Sequence, residues 1–232
     1  MVNSHWLGRT LFSEAITKNI HVVHNGIDPD KFSLSQNRGP SFREAFGISP
    51  DTVLVGLIGA IHQRKGHETF IDAASRVVMT AGHICYVIIG DGVADHVGKI
   101  RQKVASTGLA GNFIFTGWRN DVANVMTELD IIVVASEQEA FGRVVIEAMA
   151  LKKAIVATRS GGPEEIITNG VTGFLVPVRD AESMADRITT LAMDPELRRR
   201  VGARGFETVV REFGEKAYMV KLQKIIREAA RL

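Results

Sequence analysis

The sequence is poor in several features that mark specialised classes of protein. Its 232 residues include a single cysteine, Cys85, which excludes an internal disulfide and, within an apolar run, is expected to be a buried, unreactive thiol. Basic residues outnumber acidic ones by only 28 to 26, an excess too small for a dedicated nucleic-acid-binding protein. The longest apolar stretch, residues 53–61, is less than half the ~20 residues that a membrane span requires.

The N-terminus also lacks the basic region and the apolar core of a secretory signal peptide. Together with the single thiol, this predicts a cytoplasmic location, with attachment to the inner face of a membrane as the alternative. The remaining composition, 45% apolar and 23% charged, is typical of a globular domain that can bury a core.

Short runs of β-branched residues alternate with longer segments of 3.6-residue periodicity along most of the chain. Continuous apolar strands separated by helices are typical of a parallel sheet covered on both faces, so the sequence predicts an α/β domain followed by C-terminal helices. The first 20 residues, with helical spacing, stand outside this pattern. The predicted strands are 20–24, 52–57, 83–89, 112–116, 131–135, 154–157 and 174–176, and the predicted helices are 67–80, 95–107, 120–128, 142–151, 163–168, 181–192, 195–211 and 214–230.

In such sheets, ligands bind beyond the carboxyl ends of the strands, so the loops there are the candidate sites. Residues 59–66 combine Gly59, the cations Arg64 and Lys65, and the start of a helix, which together suit a phosphate group. The loop has neither the Gly-Lys-Ser/Thr of a P-loop nor the GxGxxG of a dinucleotide site. A plain helix start with two solvated cations is the alternative interpretation.

Two other loops that follow strands carry weaker signals. Residues 90–92 (Gly-Asp-Gly) either allow a ligand to approach the backbone closely or form a tight turn. Residues 117–119 place Trp118 where it could stack on a base, although an aromatic residue at a strand end is more often packed at the rim of the sheet.

The segment 136–150 places an acidic loop directly before a helix that is expected to begin near Gly142. Glu139 would lie in the loop and Glu147 more than one turn inside the helix, so both carboxylates could flank a ligand on the helix N-terminus. Carboxylates accept hydrogen bonds from sugar or ribose hydroxyls, and the free amides of residues 142–145 suit phosphate oxygens. In the alternative interpretation, Glu139 complements the helix dipole and Glu147 is an exposed surface residue.

No metal site is predicted from the sequence. Residues 28–30 (Asp-Pro-Asp) match the DxD pattern of metal-dependent sugar transferases, but their position after a turn favours turn formation. None of the seven histidines forms an i, i+4 pair with a third ligand nearby.

Five motifs resemble, in order, those of the group-one (family-four) glycosyltransferases of the GT-B fold. They are residues 22–28 (VVHNGID), the Lys65-Gly66 loop, residues 89–92 (IGDG), residues 139–150 (EAFGRVVIEAMA), and residues 161–167 (GGPEEII) followed by Gly170 and Gly173. The resemblance covers nearly all of the chain from about residue 20, and it is specific for the family rather than for one member.

This resemblance implies the nucleotide-sugar binding domain of a retaining, metal-independent glycosyltransferase. Such an enzyme transfers a hexosyl group from a UDP-, GDP- or ADP-sugar to an acceptor without a cofactor. Lys65 and Glu139 are implied as catalytic residues, Lys65 on the donor diphosphate and Glu139 on the sugar hydroxyls. A cation and a helix dipole would then stabilise the charge on the departing diphosphate, as a metal does elsewhere. The implied donor-binding residues are Gly59, Arg64, Lys65, Gly90, Asp91, Gly117, Trp118, Arg119, Glu139, Phe141, Gly142, Arg143, Val144, Val145 and Glu147, of which Glu147 would contact the ribose and the residues after Gly117 the base.

The chain departs from the family pattern in residues 59–66, the segment called the phosphate loop below. The family usually has an arginine directly after the glycine of this loop, but Ala60 follows Gly59 here. We hypothesise that Arg64 takes the place of that arginine, so Arg64→Ala should weaken nucleotide binding as much as Lys65→Ala. Ala135 and residues 153–154 also replace the family's Pro and Gly-Pro, which should affect loop shape more than chemistry.

The resemblance also divides the chain. Residues 1–19 resemble the last helix of a missing N-terminal acceptor domain, residues 20–213 the Rossmann-like donor domain, and residues 214–232 a C-terminal helix that packs on the acceptor domain. A glycan, lipid or small-molecule acceptor would bind through the missing domain, so the chain alone is expected to be inactive in transfer. The apolar faces of residues 6–12 and 218–226 would be exposed and favour self-association, which strictly monomeric behaviour at high concentration would contradict.

Two other functions stay open at this point. A non-catalytic nucleotide-binding or regulatory module would keep the fold with a weakened phosphate site, for which Ala60 is the best support. A nicotinamide-dependent dehydrogenase is disfavoured, because the glycine fingerprint and the acidic ribose ligand that follows it are absent. The expected partner is therefore a nucleotide sugar and not a nucleic acid.

Overall fold

The computed structural model describes residues 1–11, 20–30, 41–77 and 83–229 of the chain. The strands are β1 (Val53–Ile58), β2 (Ile84–Ile89), β3 (Phe113–Gly117), β4 (Ile131–Val134), β5 (Ala154–Thr158) and β6 (Phe174–Val176). The helices are α1 (His5–Leu11), α2 (Phe42–Ala45), α3 (His67–Ala74), α4 (Ala94–Ser106), α5 (Val122–Glu128), α6 (Arg143–Ala150), α7 (Gly162–Ile166), α8 (Ala181–Met193), α9 (Pro195–Thr208) and α10 (Glu215–Ala229), with 3-10 turns at Gln63–Lys65 and Ala110–Asn112 and a π-helical turn at Val209–Phe213.

The six strands of the described residues form one parallel sheet in the order β3-β2-β1-β4-β5-β6. The central strands are apolar along their whole length because helices cover both faces, and each face has its own cluster of buried side chains. The order reverses between β1 and β4, which places a crevice beyond the carboxyl ends of these two strands. The predicted Rossmann-like architecture is confirmed.

The predicted strand at residues 20–24 is not part of this sheet. Among the residues described, Val22 forms only an isolated bridge with Val2, and the Val23 N–H donates to the Val2 carbonyl at 2.9 Å. Farther along, the Ile27 N–H donates to the carbonyl of Phe213 at 2.8 Å, just before α10. Residues 20–27 therefore form an extended segment, the strap, that joins the N-terminal segment to the turn before α10. Periodicity predicts an extended backbone but not its pairing partner.

Several predicted boundaries differ from the observed ones or fall outside the described residues. The helix predicted over 195–211 ends as α9 at Thr208 and continues as the π-helical turn. The helix predicted over 67–80 ends at Ala74, and part of the prediction lies in the undescribed residues 78–82. The second half of the N-terminal helical pattern also lies outside the described residues.

The two apolar faces predicted to be exposed, in residues 6–12 and 218–226, differ in their solvent exposure. Trp6 and Leu7 of α1 are half-buried, so the prediction is wrong for these two residues. Trp6 packs so closely over Gly161 that a Cβ there would lie 2.5 Å from the indole ring. On α10, by contrast, Met219, Val220 and Ile226 are exposed, although no helix of the described residues has the length and apolarity needed to cross a bilayer.

His67, the first residue of α3, is a buried polar residue with an unusual environment. Its side chain is 2% exposed, and neither ring nitrogen has a hydrogen-bond partner among the described residues. Burial, together with the nearby His96 and Lys65, lowers the pKa of His67 from 6.5 to about 4. The folded protein therefore keeps this imidazole neutral where an unfolded chain would protonate it.

Because of His67, we expect the free energy of unfolding to fall as the pH drops from about 6.5 towards 4. In this range the unfolded chain binds a proton that the folded chain excludes, and the loss should approach about 3 kcal/mol, at ~1.4 kcal/mol per pKa unit. Urea unfolding at several pH values would measure it. A His67→Met variant should lose this part of the pH dependence, whereas His83→Ala, at an exposed histidine, should keep it. Equal pH dependence in His67→Met and the unaltered chain would contradict the assignment.

Candidate functional site

A cavity of about 270 Å³ lies beyond the carboxyl ends of β1 and β4. The ends of the two strands form its floor, and its walls come from the phosphate loop, the acidic loop before α6 and the N-terminal segment. The residues that line it are Asn3, Asn25, Leu57, Ile58, Lys65, Val133, Val134, Ala135, Ser136, Glu139, Ala140, Phe141, Gly142, Arg143 and Val144. The loop of Lys65 and the start of α6 therefore face the same cavity, as the sequence-based model of the site requires.

The phosphate loop reaches this cavity because its backbone packs against the loop after β4. Lys65 ends a 3-10 turn and is followed by Gly66, which has a left-handed backbone with φ of 67°. A Cβ at Gly66 would lie 1.9 Å from the carbonyl oxygen of Ala135, so only glycine fits. This close approach brings Lys65 next to the acidic loop.

Lys65 and Glu139 form an ion pair in the cavity. The Lys65 Nζ donates to the Glu139 Oε2 at 2.6 Å, and the Ser136 hydroxyl donates to the same oxygen at 3.2 Å. The lysine side chain is 36% exposed and the glutamate side chain 18%, so the pair is partly shielded from water. A ligand that carries an anionic group and hydroxyls could bind to both members of the pair.

The first turn of α6 offers backbone amides to the same cavity. Gly142 precedes the helix with a left-handed φ of 94°, and Arg143 and Val144 follow as its first residues. The amides of these two residues have no backbone acceptor among the described residues, as expected for a helix start. The prediction is wrong for the amide of Val145, which is not free because it donates to the Gly142 carbonyl at 2.9 Å.

Glu147 lies one turn farther into α6 and is held by Arg143. The Arg143 guanidinium donates to the Glu147 Oε1 at 3.2 Å. Burial raises the pKa of Glu147, and Arg143 only partly offsets this effect. Glu147 is therefore a half-buried carboxylate beside the cavity wall rather than the exposed surface residue of the alternative interpretation.

The loops after β1, β2 and β3 are joined to one another by backbone contacts. The Gly59 N–H donates to the Ile89 carbonyl at 3.0 Å, and the Gly90 N–H donates to the Gly117 carbonyl at 3.1 Å. A Cβ at Gly90 would lie 2.1 Å from the Gly59 oxygen. The three predicted glycines thus lie together at the carboxyl edge of the sheet, although they do not line the cavity itself.

The remaining predicted residues lie around this edge and also do not line the cavity. Trp118 is 74% exposed, and Arg119 forms a two-point ion pair with Asp121 at 2.7 and 2.6 Å. Arg64 and Asp91 are exposed, and both contribute backbone carbonyls to loop hydrogen bonds. Their roles in binding stay predictions.

Two asparagines in the cavity wall are not predicted from the sequence. Asn3 and Asn25 both line it, and the buried Oδ1 of Asn3 has no hydrogen-bond partner among the described residues. Asn25 and Arg143 also line an adjoining cavity of about 530 Å³ against α10. The motif around Asn25 was a usable signal, whereas nothing in the sequence pointed to Asn3.

Another group that the sequence does not predict lies against Phe141. The side chains of His5, His24 and Glu165 each offer a ligand atom, and these atoms lie within 4.8 Å of one another. The His24 ring stacks on the Phe141 ring, with centroids 5.6 Å apart. The prediction of no metal site considered only i, i+4 spacing, and these residues come from three separate segments.

Comparisons with known proteins point to one family. The family model described as "Glycosyl transferases group 1" matches residues 40–208. The lipopolysaccharide core biosynthesis glycosyltransferase LpsE of Rhizobium meliloti is 31% identical over 167 residues, which cover 72% of this chain and 47% of that protein. The chain spans about half the length of the curated relatives it matches.

Two solved structures show the fold. The C-terminal domain of a group 1 glycosyl transferase family protein (LpcC) from Francisella tularensis has a TM-score of 0.71 and 30% identity, and the match covers 82% of this chain and all of that one (100%). Anabaena HepE in complex with UDP-glucose has a TM-score of 0.80 and 24% identity, covering 93% of this chain and 58% of that chain. By its matched family model and its Rossmann-like sheet, this chain belongs to the group 1 glycosyltransferases of the GT-B fold.

Proposed function

We propose that this chain binds the nucleotide-sugar donor of a retaining, metal-independent glycosyltransferase that transfers a hexosyl group to an acceptor. The observation that carries the proposal is the meeting of Lys65, Glu139 and the N-terminus of α6 in one cavity. A cation and a helix N-terminus attract a diphosphate, while a carboxylate beside them accepts hydrogen bonds from sugar hydroxyls.

In the proposed reaction, the sugar–phosphate bond breaks and the nucleoside diphosphate leaves with additional negative charge. Lys65 and the amides of Arg143 and Val144 would stabilise this charge without a metal ion. Glu139, released from Lys65 by the incoming diphosphate, would hold the sugar through its hydroxyls. The anomeric carbon then bonds to an acceptor hydroxyl oxygen with its configuration retained, and the proton of that hydroxyl passes to the departing diphosphate.

The nucleoside is proposed to extend from the cavity along the carboxyl edge of the sheet. Glu147 would accept hydrogen bonds from the ribose hydroxyls, and its partner Arg143 fixes the orientation of the carboxylate. The base would contact the loop after Gly117, where Trp118 offers an exposed ring. HepE, which shares the fold, has been crystallised with UDP and with UDP-glucose, and this supports a nucleotide sugar as the ligand class.

The acceptor is proposed to bind to a further domain that this sequence does not contain. The curated relatives are about twice as long as the matched region. To bind a glycan, lipid or small-molecule acceptor next to the donor, the cleft needs a second wall. Acceptor-dependent transfer by this chain alone would contradict that part of the proposal.

One observation favours a non-catalytic nucleotide-binding module instead. Ala60 occupies the position where the family usually has an arginine, and Arg64 does not line the cavity. A single lysine would then hold the diphosphate, and a weakened phosphate site would suit a regulatory role.

Calorimetric titration of the chain with UDP, GDP and ADP, and with the matching nucleotide sugars, separates these two functions. We expect one nucleoside diphosphate to bind with a micromolar dissociation constant, about 7–8 kcal/mol of binding free energy, and the others at least roughly tenfold more weakly. The corresponding nucleoside, which lacks the diphosphate, is the control and should bind far more weakly. Absence of binding to all three diphosphates would contradict the donor-binding proposal.

A further inference from the structure

We propose that His5, His24 and Glu165 form a binding site for a transition-metal dication, with Zn²⁺ as the fitting ion. The site is structural: it would fasten the N-terminal segment to the domain and take no part in sugar transfer. It therefore does not depend on the proposed function.

The positions of the three side chains suit one small ion. The His24 Nε2 lies 3.0 Å from the Glu165 Oε2, and the ligand atoms of all three residues lie within 4.8 Å of one another. Zinc bonds to nitrogen and oxygen are about 2.0–2.2 Å long, so neighbouring ligand atoms of a bound ion lie roughly 3–3.5 Å apart. His24 and Glu165 already meet this spacing. The exposed His5 can complete the set by a side-chain rotation.

The groups around the site hold two of the ligands in place. The Glu165 carboxylate accepts the backbone N–H of His5 at 2.9 Å and that of Trp6 at 2.6 Å. The His24 ring packs between the rings of Phe141 and Phe213, at centroid distances of 5.6 and 5.5 Å. Outer partners and apolar walls of this kind orient metal ligands and limit the access of water.

The donor set selects the class of ion. Two imidazoles and one carboxylate suit Zn²⁺ and its neighbours in the first transition row, whereas Mg²⁺ and Ca²⁺ prefer oxygen ligands. A bound ion would replace the proton that His24 shares with Glu165, so that Nε2 binds the metal in the tautomer protonated at Nδ1. One water molecule would complete a four-coordinate site.

The site would link three distant segments of the chain. His5 belongs to α1, His24 to the strap, and Glu165 to α7, so a bound ion would add a direct link among three segments that are distant in the sequence. Phe141, against which His24 stacks, belongs to the loop that carries Glu139. We therefore expect Zn²⁺ to raise the melting temperature of the chain, since a ligand that binds only the folded state stabilises it.

The test is direct metal binding to the metal-free chain, with no need for enzymatic activity. Competition with a chromophoric chelator should give one Zn²⁺ per chain, and Co²⁺ should show the visible absorption of a four-coordinate site. The variants His5→Ala, His24→Phe and Glu165→Gln should each weaken Zn²⁺ binding by roughly 100-fold or more, because loss of even an outer partner costs about 10- to 100-fold. His83→Ala, which removes an exposed histidine outside the cluster, is the matched control and should bind Zn²⁺ normally.

His5→Ala is the decisive variant, because its exposed side chain can be removed without disturbing the core. Unchanged Zn²⁺ affinity in this variant would overturn the proposal, and so would the absence of stoichiometric binding to the unaltered chain. Equal rises of the melting temperature in His5→Ala and the unaltered chain would show that the ion binds elsewhere.

Discussion

Replacement of Lys65 by alanine should weaken the binding of a nucleoside diphosphate by roughly 30- to 150-fold. The ammonium group is the one side-chain cation of the phosphate loop that lines the cavity within the described residues. A hydrogen bond to a charged group is worth about 1.5–3 kcal/mol, and the upper part of this range corresponds to the expected loss. Calorimetric titration with the diphosphate that the unaltered chain binds best would measure it.

Two further variants are needed to interpret the diphosphate affinity of Lys65→Ala. Lys99→Ala removes a lysine that pairs with Asp95 on the surface of α4, and it should leave binding unchanged. Arg64→Ala tests whether Arg64 replaces the arginine missing at position 60. An equal loss in this variant would support that hypothesis, and a silent Arg64→Ala would end it. Lys65→Ala with undiminished diphosphate affinity would remove the basis of the donor-binding proposal.

The sheet could be predicted from the sequence because its strands are buried on both faces. Residues of β2, β4 and β5 are all buried, so the local sequence consists of uninterrupted apolar runs between turn residues. Residues 20–24 carry the same β-branched signal, yet within the described part of the chain they pair only with the N-terminal segment. Composition determines that such a run is extended, whereas the pairing partner depends on contacts between distant parts of the chain.

The site could be predicted where its residues belong to a continuous motif. Glu139, Gly142 and Arg143 lie within one short segment, and the helix that follows them fixes their relative positions. The amide of Val145 is not free, because the first turn of α6 closes on the Gly142 carbonyl, and residue types do not indicate this closure. Asn3 could not be found, since its place in the cavity wall depends on how the N-terminal segment docks.

The cluster of His5, His24 and Glu165 illustrates the same limit. Glu165 is 141 residues from His24 and 160 from His5, so no spacing rule connects them. They meet because the strap crosses beside α7 and because Glu165 accepts the first amides of α1. Long-range docking of this kind follows from the tertiary structure and leaves no periodic signal in the sequence.

Glu139→Gln should change the affinities for the nucleoside diphosphate and for the nucleotide sugar in opposite directions. The Glu139 carboxylate accepts a hydrogen bond from the Lys65 Nζ at 2.6 Å, so a diphosphate must compete with it for the ammonium group. Glutamine removes this competitor and a nearby negative charge, and we expect the affinity for the nucleoside diphosphate to rise by about 3- to 10-fold, roughly 1 kcal/mol. The nucleotide sugar should lose charge-assisted hydrogen bonds to its hydroxyls, so its affinity relative to the diphosphate should fall by roughly 10- to 100-fold.

Paired titrations of both ligands against Glu139→Gln measure this ratio, and Glu137→Gln is the matched control. Glu137 lies in the same acidic loop, but its carboxylate pairs with Arg179 at 2.8 and 2.7 Å and does not line the cavity. Its substitution should leave both affinities unchanged. An equal loss of both ligands in Glu139→Gln, with the melting temperature maintained, would mean that Glu139 serves to position Lys65 and does not bind the sugar. The sign of the change in diphosphate affinity therefore distinguishes a carboxylate that competes with the ligand from one that organises the site.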